Sequence, residues 1–260
     1  MALYNISFIG AGNVAGSLAA GLAAAGHRIL SVASRGGESA RELAAPFGAE
    51  WRRDLTVPAG CDLLIVSVSD IAVGEVAEKA VISPGTLIAH TAGSVPLAAL
   101  GRSSGAGVLY PLQTFTKGFP PDLSQVPFFI EATDSKTLQL LREIGENIGA
   151  GAWDCDSENR RKLHVAAVFT NNFSNFMMTT GETIAREAGI DPVLLRPLIG
   201  ETARKALRTG PEAAQTGPAV RDDTGTLKSH IDLLSFSPQY QKLYRLVSRM
   251  IADHYSKKKK

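Results

Sequence analysis

Ile6-Ser7-Phe8-Ile9-Gly10-Ala11-Gly12-Asn13-Val14-Ala15-Gly16 reads as a buried strand running straight into a glycine turn and then a helix. Gly10 permits the tight turn, Gly12 keeps side chains away from a pyrophosphate, and Ala15 lets the helix pack closely on the strand. Unpaired N–H groups at the helix start and the positive end of its dipole favour an anion there without any basic side chain. A strand before and a helix after separate a dinucleotide site from an ordinary glycine turn. Gly10, Ala11, Gly12, Asn13 and Val14 are the expected cofactor contacts.

The next strand sharpens the cofactor. After a helix over Ser17 to Ala25 and a break at Gly26-His27, a strand over Arg28 to Ala33 ends in Ser34-Arg35-Gly36-Gly37, roughly twenty residues past the glycines. An NAD enzyme places an acidic residue there to accept from the ribose hydroxyls. Ser34 and Arg35 instead offer a hydroxyl and a guanidinium, which suit a 2′-phosphate, so NADP is expected over NAD.

At 260 residues and 45% hydrophobic, the chain can bury a sizeable core and suits two domains. The formal net charge is +2, yet four of the 27 basic residues are the terminal run Lys257 to Lys260, expected to be a solvated, disordered tail. The remaining 23 face 25 acidic residues, and no basic cluster interleaved with aromatics points to nucleic acid. Cys61 and Cys155 lack metal-ligand spacing, so no metal site is expected. Without a long apolar span or a secretory leader, the expected setting is cytoplasmic, with no membrane partner.

Further on, a helix over Glu38 to Phe47 and a strand near Glu50 to Arg52 precede Cys61 to Asp70, apolar on both faces and bounded by polar residues as in a buried parallel strand. Asp70 is expected to cap a helix over Ala72 to Ala80. Strands Thr86 to His90 and Gly107 to Leu109 run into Thr91-Ala92-Gly93-Ser94 and Tyr110-Pro111-Leu112-Gln113. In an open parallel sheet those C-terminal ends form the ligand edge. His90, Thr91, Ser94, Tyr110 and Gln113 should therefore face the nicotinamide and its reaction partner, with Val68, Ser69, Asp70 and Thr91 as further cofactor contacts. A strand over Phe128 to Glu131, a helix over Ser135 to Ile148 and a strand over Gly151 to Asp154 complete the alternation.

From Ser157 the periodicity turns helical and stays so. One long helix is expected from Glu158 to Ala188, then another from Pro192 to Leu207. At about 100° per residue, His164, Asn171 and Asn175 share one face, with Arg161 about 60° away, a polar stripe suited to orienting a ligand. In Thr216 to His230, Arg221 can hold a carboxylate or phosphate, with Asp222 or Asp223 orienting it. The amphipathic helix Pro238 to Tyr255 is expected to pack. The expected division is residues 1–155, an α/β dinucleotide-binding domain with a doubly wound, mostly parallel sheet; 156–256, an all-α domain for substrate and dimerisation; and the tail 257–260.

In order along the chain, Ile9-Gly10-Ala11-Gly12-Asn13-Val14-Ala15, His90-Thr91-Ala92-Gly93-Ser94, Tyr110-Pro111-Leu112-Gln113-Thr114-Phe115, the His164 helix with Asn171-Asn172, and Gly217-Pro218-x-x-Arg221-Asp222 resemble the Rossmann-like NADP oxidoreductases that carry a C-terminal DUF2520 domain. The resemblance covers nearly the whole chain. It implies an architecture similar to pyrroline-5-carboxylate reductases, ketopantoate reductases and 3-hydroxyacid dehydrogenases, with a helical domain of the 6-phosphogluconate-dehydrogenase-like type across the active cleft. The last two groups use a helix Lys with an Asn one turn later, whereas four residues after Lys162 this chain has Ala166. His164 is the nearest titratable group, and an imidazole can give or take a proton near neutral pH, so it is the expected acid/base, with His90 the competing candidate. Ser94, Tyr110, Gln113, Asn171, Asn175 and Arg221 are the expected substrate contacts.

The resulting expectation is an NADP-dependent oxidoreductase acting on a small C=O or C=N compound, anionic because of Arg221, and a homodimer through its helical domain. A protein that holds NADP without turnover is the alternative, kept open by the missing Lys/Asn pair. Gly10, Gly12 and Arg35 together argue against a third reading, a dimerisation module with a vestigial loop.

Overall fold

Eight strands build one sheet: β1 (Asn5–Ile9), β2 (Arg28–Ala33), β3 (Glu50–Arg52), β4 (Leu63–Val66), β5 (Leu87–His90), β6 (Ala106–Pro111), β7 (Pro127–Ala132) and β8 (Gly151–Asp154). The computed structural model describes residues 2–102 and 104–256, so the terminal lysine run lies outside the described residues. Spatial order is β3-β2-β1-β4-β5-β6-β7-β8. Neighbours run parallel except β6 and β7. The connection 112–126 holds only the short 3-10 turn Leu123–Gln125 among its elements, and a parallel return usually needs a crossover helix. The first six positions have the order of a dinucleotide-binding sheet.

Strand register sets the ligand edge. Ile9 pairs with Ala33 and with Val66, and Val66 in turn pairs with His90. The C-terminal ends of β1, β2, β4 and β5 therefore come level, and Gly10, Ser34, Ser67 and Thr91 leave the sheet along one edge.

The helices of this part are α1 (Asn13–Ala24), α2 (Glu38–Ala44), α3 (Val73–Lys79), α4 (Ser135–Ile148) and α5 (Ser157–Ala167). Because strand side chains alternate between faces, Leu63 and Ile65 bury on opposite sides from Leu64 and Val66. Ile65 joins Ile6, Phe8, Leu18, Leu22, Leu109, Phe128 and Ile144 in one core. Leu64 and Val66 join Ile9, Val73, Ile88 and Leu100 in the other. Asp134 caps α4, accepting from the N–H groups of Thr137 and Gly105 at 2.9 and 2.7 Å. Those donors hold its carboxyl down at about 2.

The chain divides into two compact units between Asn171 and Asn172. The second contains α6 (Ser174–Glu187), α7 (Arg196–Thr209), α8 (Pro211–Ala214), α9 (Pro218–Arg221), α10 (Thr224–Leu233) and α11 (Pro238–Ser256). The sequence boundary at 155/156 marks the end of the sheet; the compact unit keeps α5 as well.

Two expectations need correction. The helix read as Glu158 to Ala188 is α5, then a π-helical stretch over Val168–Phe173, then α6. A π turn closes i→i+5 bonds and advances less per residue than an α turn, so the constant step used to align His164, Asn171 and Asn175 fails across it. Asp70, in turn, does not cap α3. It begins a 3-10 turn over Asp70–Ala72 without any side-chain cap, because its carboxylate accepts the Ser94 hydroxyl instead.

Candidate active site

The side of the edge around β1 and β2 is mostly backbone. Gly10 has φ +106°, and a Cβ there would sit 2.0 Å from the Ser67 carbonyl oxygen, so only glycine lets β1 turn beside β4. Around Gly12 the opposite holds, because a Cβ there would meet nothing within 4 Å. Nothing in the fold therefore requires a glycine at that position. Gly12 precedes α1 with no side-chain cap and no acidic residue in the first turn, leaving the helix N–H groups free for an anion. A dinucleotide pyrophosphate fits this open, uncapped start. Ala11 and Val14 are partly buried, and Val68 lies beside Gly10. Asn13 donates instead to the Phe115 carbonyl at 3.1 Å, tying the turn to the loop after β6. Beyond β2, the Ser34 and Ser39 hydroxyls lie 3.0 Å apart and Arg35 is exposed.

The other side of the edge is built from side chains. His90 is fully buried at the end of β5, and its Nδ1 accepts the Ala92 N–H at 3.2 Å. Burial first, then the charge of Arg160, push His90 down to about 4, so its ring is neutral at neutral pH. Thr91 donates to Ser67 at 3.3 Å, and Ser94 to Asp70. Tyr110, at the penultimate position of β6, lies 3.0 Å from His164 Nδ1 on α5, with the rings edge to face at 5.9 Å. Gly93 lies against both: a Cβ there would come within 2.6 Å of His164 Nδ1 and 2.8 Å of the Tyr110 ring. Burial pushes the Tyr110 hydroxyl above its ordinary value, which keeps it protonated and able to donate.

A buried arginine fixes this corner. Arg160, one turn before His164, has no exposed surface and pairs with Glu131 of β7. It also donates to the Val95 carbonyl at 2.6 Å and to Ser157 at 3.1 Å. Ser157 donates to Glu131 at 2.7 Å and accepts the Leu97 N–H at 2.9 Å. The loop carrying Gly93 and Ser94 is thus strapped to α5. Leaving one charge of such a pair buried alone costs about 3–5 kcal/mol. Arg161, placed near the polar stripe by the sequence, is exposed; its neighbour carries the structural role.

Other expected site residues are exposed. Gln113 is exposed and accepts its own neighbour's N–H, that of Thr114, at 2.8 Å. Ser69 precedes the 3-10 turn and is exposed, as is Asn171 in the π stretch. Asn175 and Arg221 belong to the second unit and are both exposed. Asp222, next to it, holds φ +57°, and Asp223 caps α10 through the Thr226 N–H at 3.0 Å.

Residues 5–92 match the family model described as NADP oxidoreductase, coenzyme F420-dependent, and residues 126–251 match DUF2520, a domain of unknown function. Among solved structures, the "putative NADP oxidoreductase" of Bacteroides fragilis is 40% identical, covering 96% of this chain and 98% of its own, with a TM-score of 0.86. The chain belongs to this NADP oxidoreductase family. A Thermotoga maritima protein at 21% identity covers 98% of this chain and 100% of its own with a TM-score of 0.78. An imine reductase from Pseudomonas sp. at 17% identity covers 96% and 93% with a TM-score of 0.66. Both share the fold. No curated protein matches. In this oxidoreductase, Arg160 and the pairing of Tyr110 with His164 escaped the sequence reading, since both are contacts between distant segments. The His164 helix motif and the Tyr110 motif were each visible alone.

Proposed function

We propose that the protein is an NADPH-dependent reductase of a small C=O or C=N compound, with His164 as proton donor and Tyr110 as the group that sets its tautomer. The Tyr110–His164 hydrogen bond at 3.0 Å carries this reading. Bound NADPH supplies the hydride. Tyr110, kept protonated by burial, donates to Nδ1, so the ring holds its own proton on Nε2; as that proton passes to the atom that gains negative charge, Nδ1 takes the Tyr110 proton, the ring stays neutral and the charge ends on the Tyr110 oxygen. His90 is a weaker candidate, because its ring is fully buried. Arg221, which forms no ion pair among the described residues, supports an anionic substrate by its charge alone.

NADPH is favoured over NADH by Ser34 and Arg35. Calorimetry should show NADPH bound at least tenfold more tightly, with Arg35→Ala removing most of the difference, since one charge-assisted contact contributes about 1.5–3 kcal/mol. Equal wild-type affinities would end the assignment. Stereospecific NADPH consumption across a panel of carbonyl and imine compounds then tests turnover.

The second unit is proposed to pair with another copy of itself. Helices α7, α10 and α11 bury no residue, while Phe176, Met177, Leu198, Leu246 and Met250 are exposed. Apolar surface of that extent marks an interface. Light scattering at micromolar concentration should report a dimer, and a monomer would refute the pairing.

A further inference from the structure

The loop after β2 holds a cation that the glycine motif does not specify. Gly37 is buried with φ +73°, and what lies over it is Arg53, the residue after β3. A Cβ on Gly37 would come within 2.5 Å of Arg53 Nε and 3.0 Å of its Cγ. The glycine thus opens the space through which the arginine stem crosses the Ser34-Arg35-Gly36 loop. The strand pairing that brings Arg53 there continues past β2, because the Ser34 N–H donates to the Arg52 carbonyl at 3.1 Å.

Acidic groups of the neighbourhood are engaged elsewhere. Glu38 pairs with Arg41, Glu50 with Arg52, and Glu75 with Lys79. Asp54 accepts the Thr56 N–H at 2.8 Å. Arg35 exerts only the least of the influences on Glu75. Among the described residues neither Arg35 nor Arg53 has a carboxylate ion pair. Arg35 within the loop and Arg53 over its Gly37 thus bring two arginines without a carboxylate ion pair to the loop that leaves β2 at Ser34, where a dinucleotide's adenosine ribose lies in this fold.

We infer that Arg53 is the second arm of a clamp on the 2′-phosphate of NADPH, acting with Arg35 across Gly37. The inference rests on the reading of Ser34 and Arg35 as the cofactor-selecting end. A dianionic phosphate has oxygens for two guanidinium forks, and two cations neutralise it more completely than one.

Calorimetric titration of NADPH and NADH into wild type, Arg53→Ala, Arg53→Lys and the Arg35→Ala/Arg53→Ala double variant tests it without turnover. Arg53→Ala should weaken NADPH about tenfold while NADH changes less than about twofold. Arg53→Lys should recover part of the loss, and the double variant should bind the two cofactors alike. A wild-type preference for NADPH that survives Arg53→Ala intact would overturn the role of Arg53 and leave that of Arg35 standing. Equal weakening of NADPH and NADH would also overturn it, showing that Arg53 only covers Gly37. Equal wild-type affinities would overturn the cofactor reading itself.

Discussion

The two halves of the sheet edge solve different problems with different materials. Around β1 and β2 the site is glycine backbone, an uncapped helix start and exposed cations, with few side-chain bonds among its parts. Around β5 and β6 it is a buried, hydrogen-bonded set: His90, Tyr110, His164, and the Arg160–Glu131 pair beneath the loop. The first arrangement leaves groups unsatisfied for a ligand to satisfy. The second satisfies nearly every group internally and so fixes its side chains in place, as the proposed proton delivery by His164 requires. Binding and chemistry should therefore respond to separate substitutions.

The largest expected effect is at Gly10. Gly10→Ala puts a Cβ 2.0 Å from the Ser67 carbonyl at φ +106°, so the turn must rebuild. Stability should fall by about 3 kcal/mol or more and NADPH binding should be lost. A Gly10→Ala protein that melts and binds like wild type would break the account of this turn.

Next comes the buried half under acid. His90 sits at about 4 when folded, against an ordinary 6.5 in the unfolded chain. Between those values the unfolded chain binds more protons, so the contribution of His90 is whole above about pH 6.5 and shrinks as pH falls toward 4. The total is about 3 kcal/mol. Urea melts at stepped pH should show wild type losing that much more than His90→Asn over this window. Parallel profiles would place the burial of His90 in doubt.

Gly12→Ala is the smallest change and the sharpest. Its Cβ meets nothing within 4 Å, so stability should stay within about 0.5 kcal/mol. NADPH affinity should still drop about tenfold, because the added methyl stands where phosphate approaches. A loss of stability without loss of affinity would mean that the glycine serves the fold.

Much of the fold around β1 and β2 was legible in the sequence because its determinants are local. A strand, a glycine spacing and a helix start lie within eleven consecutive residues, and Arg28–Ala33, Ser135–Ile148 and Gly151–Asp154 have the predicted bounds. The buried half was legible only in parts. His90, Tyr110 and His164 were marked by their places on strand ends and a helix, but the Tyr110–His164 contact joins residues 54 apart in the chain. Charge alone could not tell Arg160, which is buried, from Arg161, which is exposed. The π stretch over Val168–Phe173 was invisible to a rule that assumes constant turns, and it removed the expected alignment of His164 with Asn171 and Asn175. Arg53 was missed because its place over Gly37 is set by strand pairing and not by neighbours in sequence.

The central claim is that proton delivery belongs to His164 and is separable from cofactor binding. Single-turnover hydride transfer from NADPH to the first compound found active in the carbonyl and imine panel, measured on His164→Gln beside its thermal melt and NADPH calorimetry, tests this most directly. Transfer should slow about a hundredfold or more, with NADPH affinity changed less than about twofold and the fold retained. Unchanged transfer in a folded His164→Gln protein, or a loss that only follows the unfolded fraction, would contradict it.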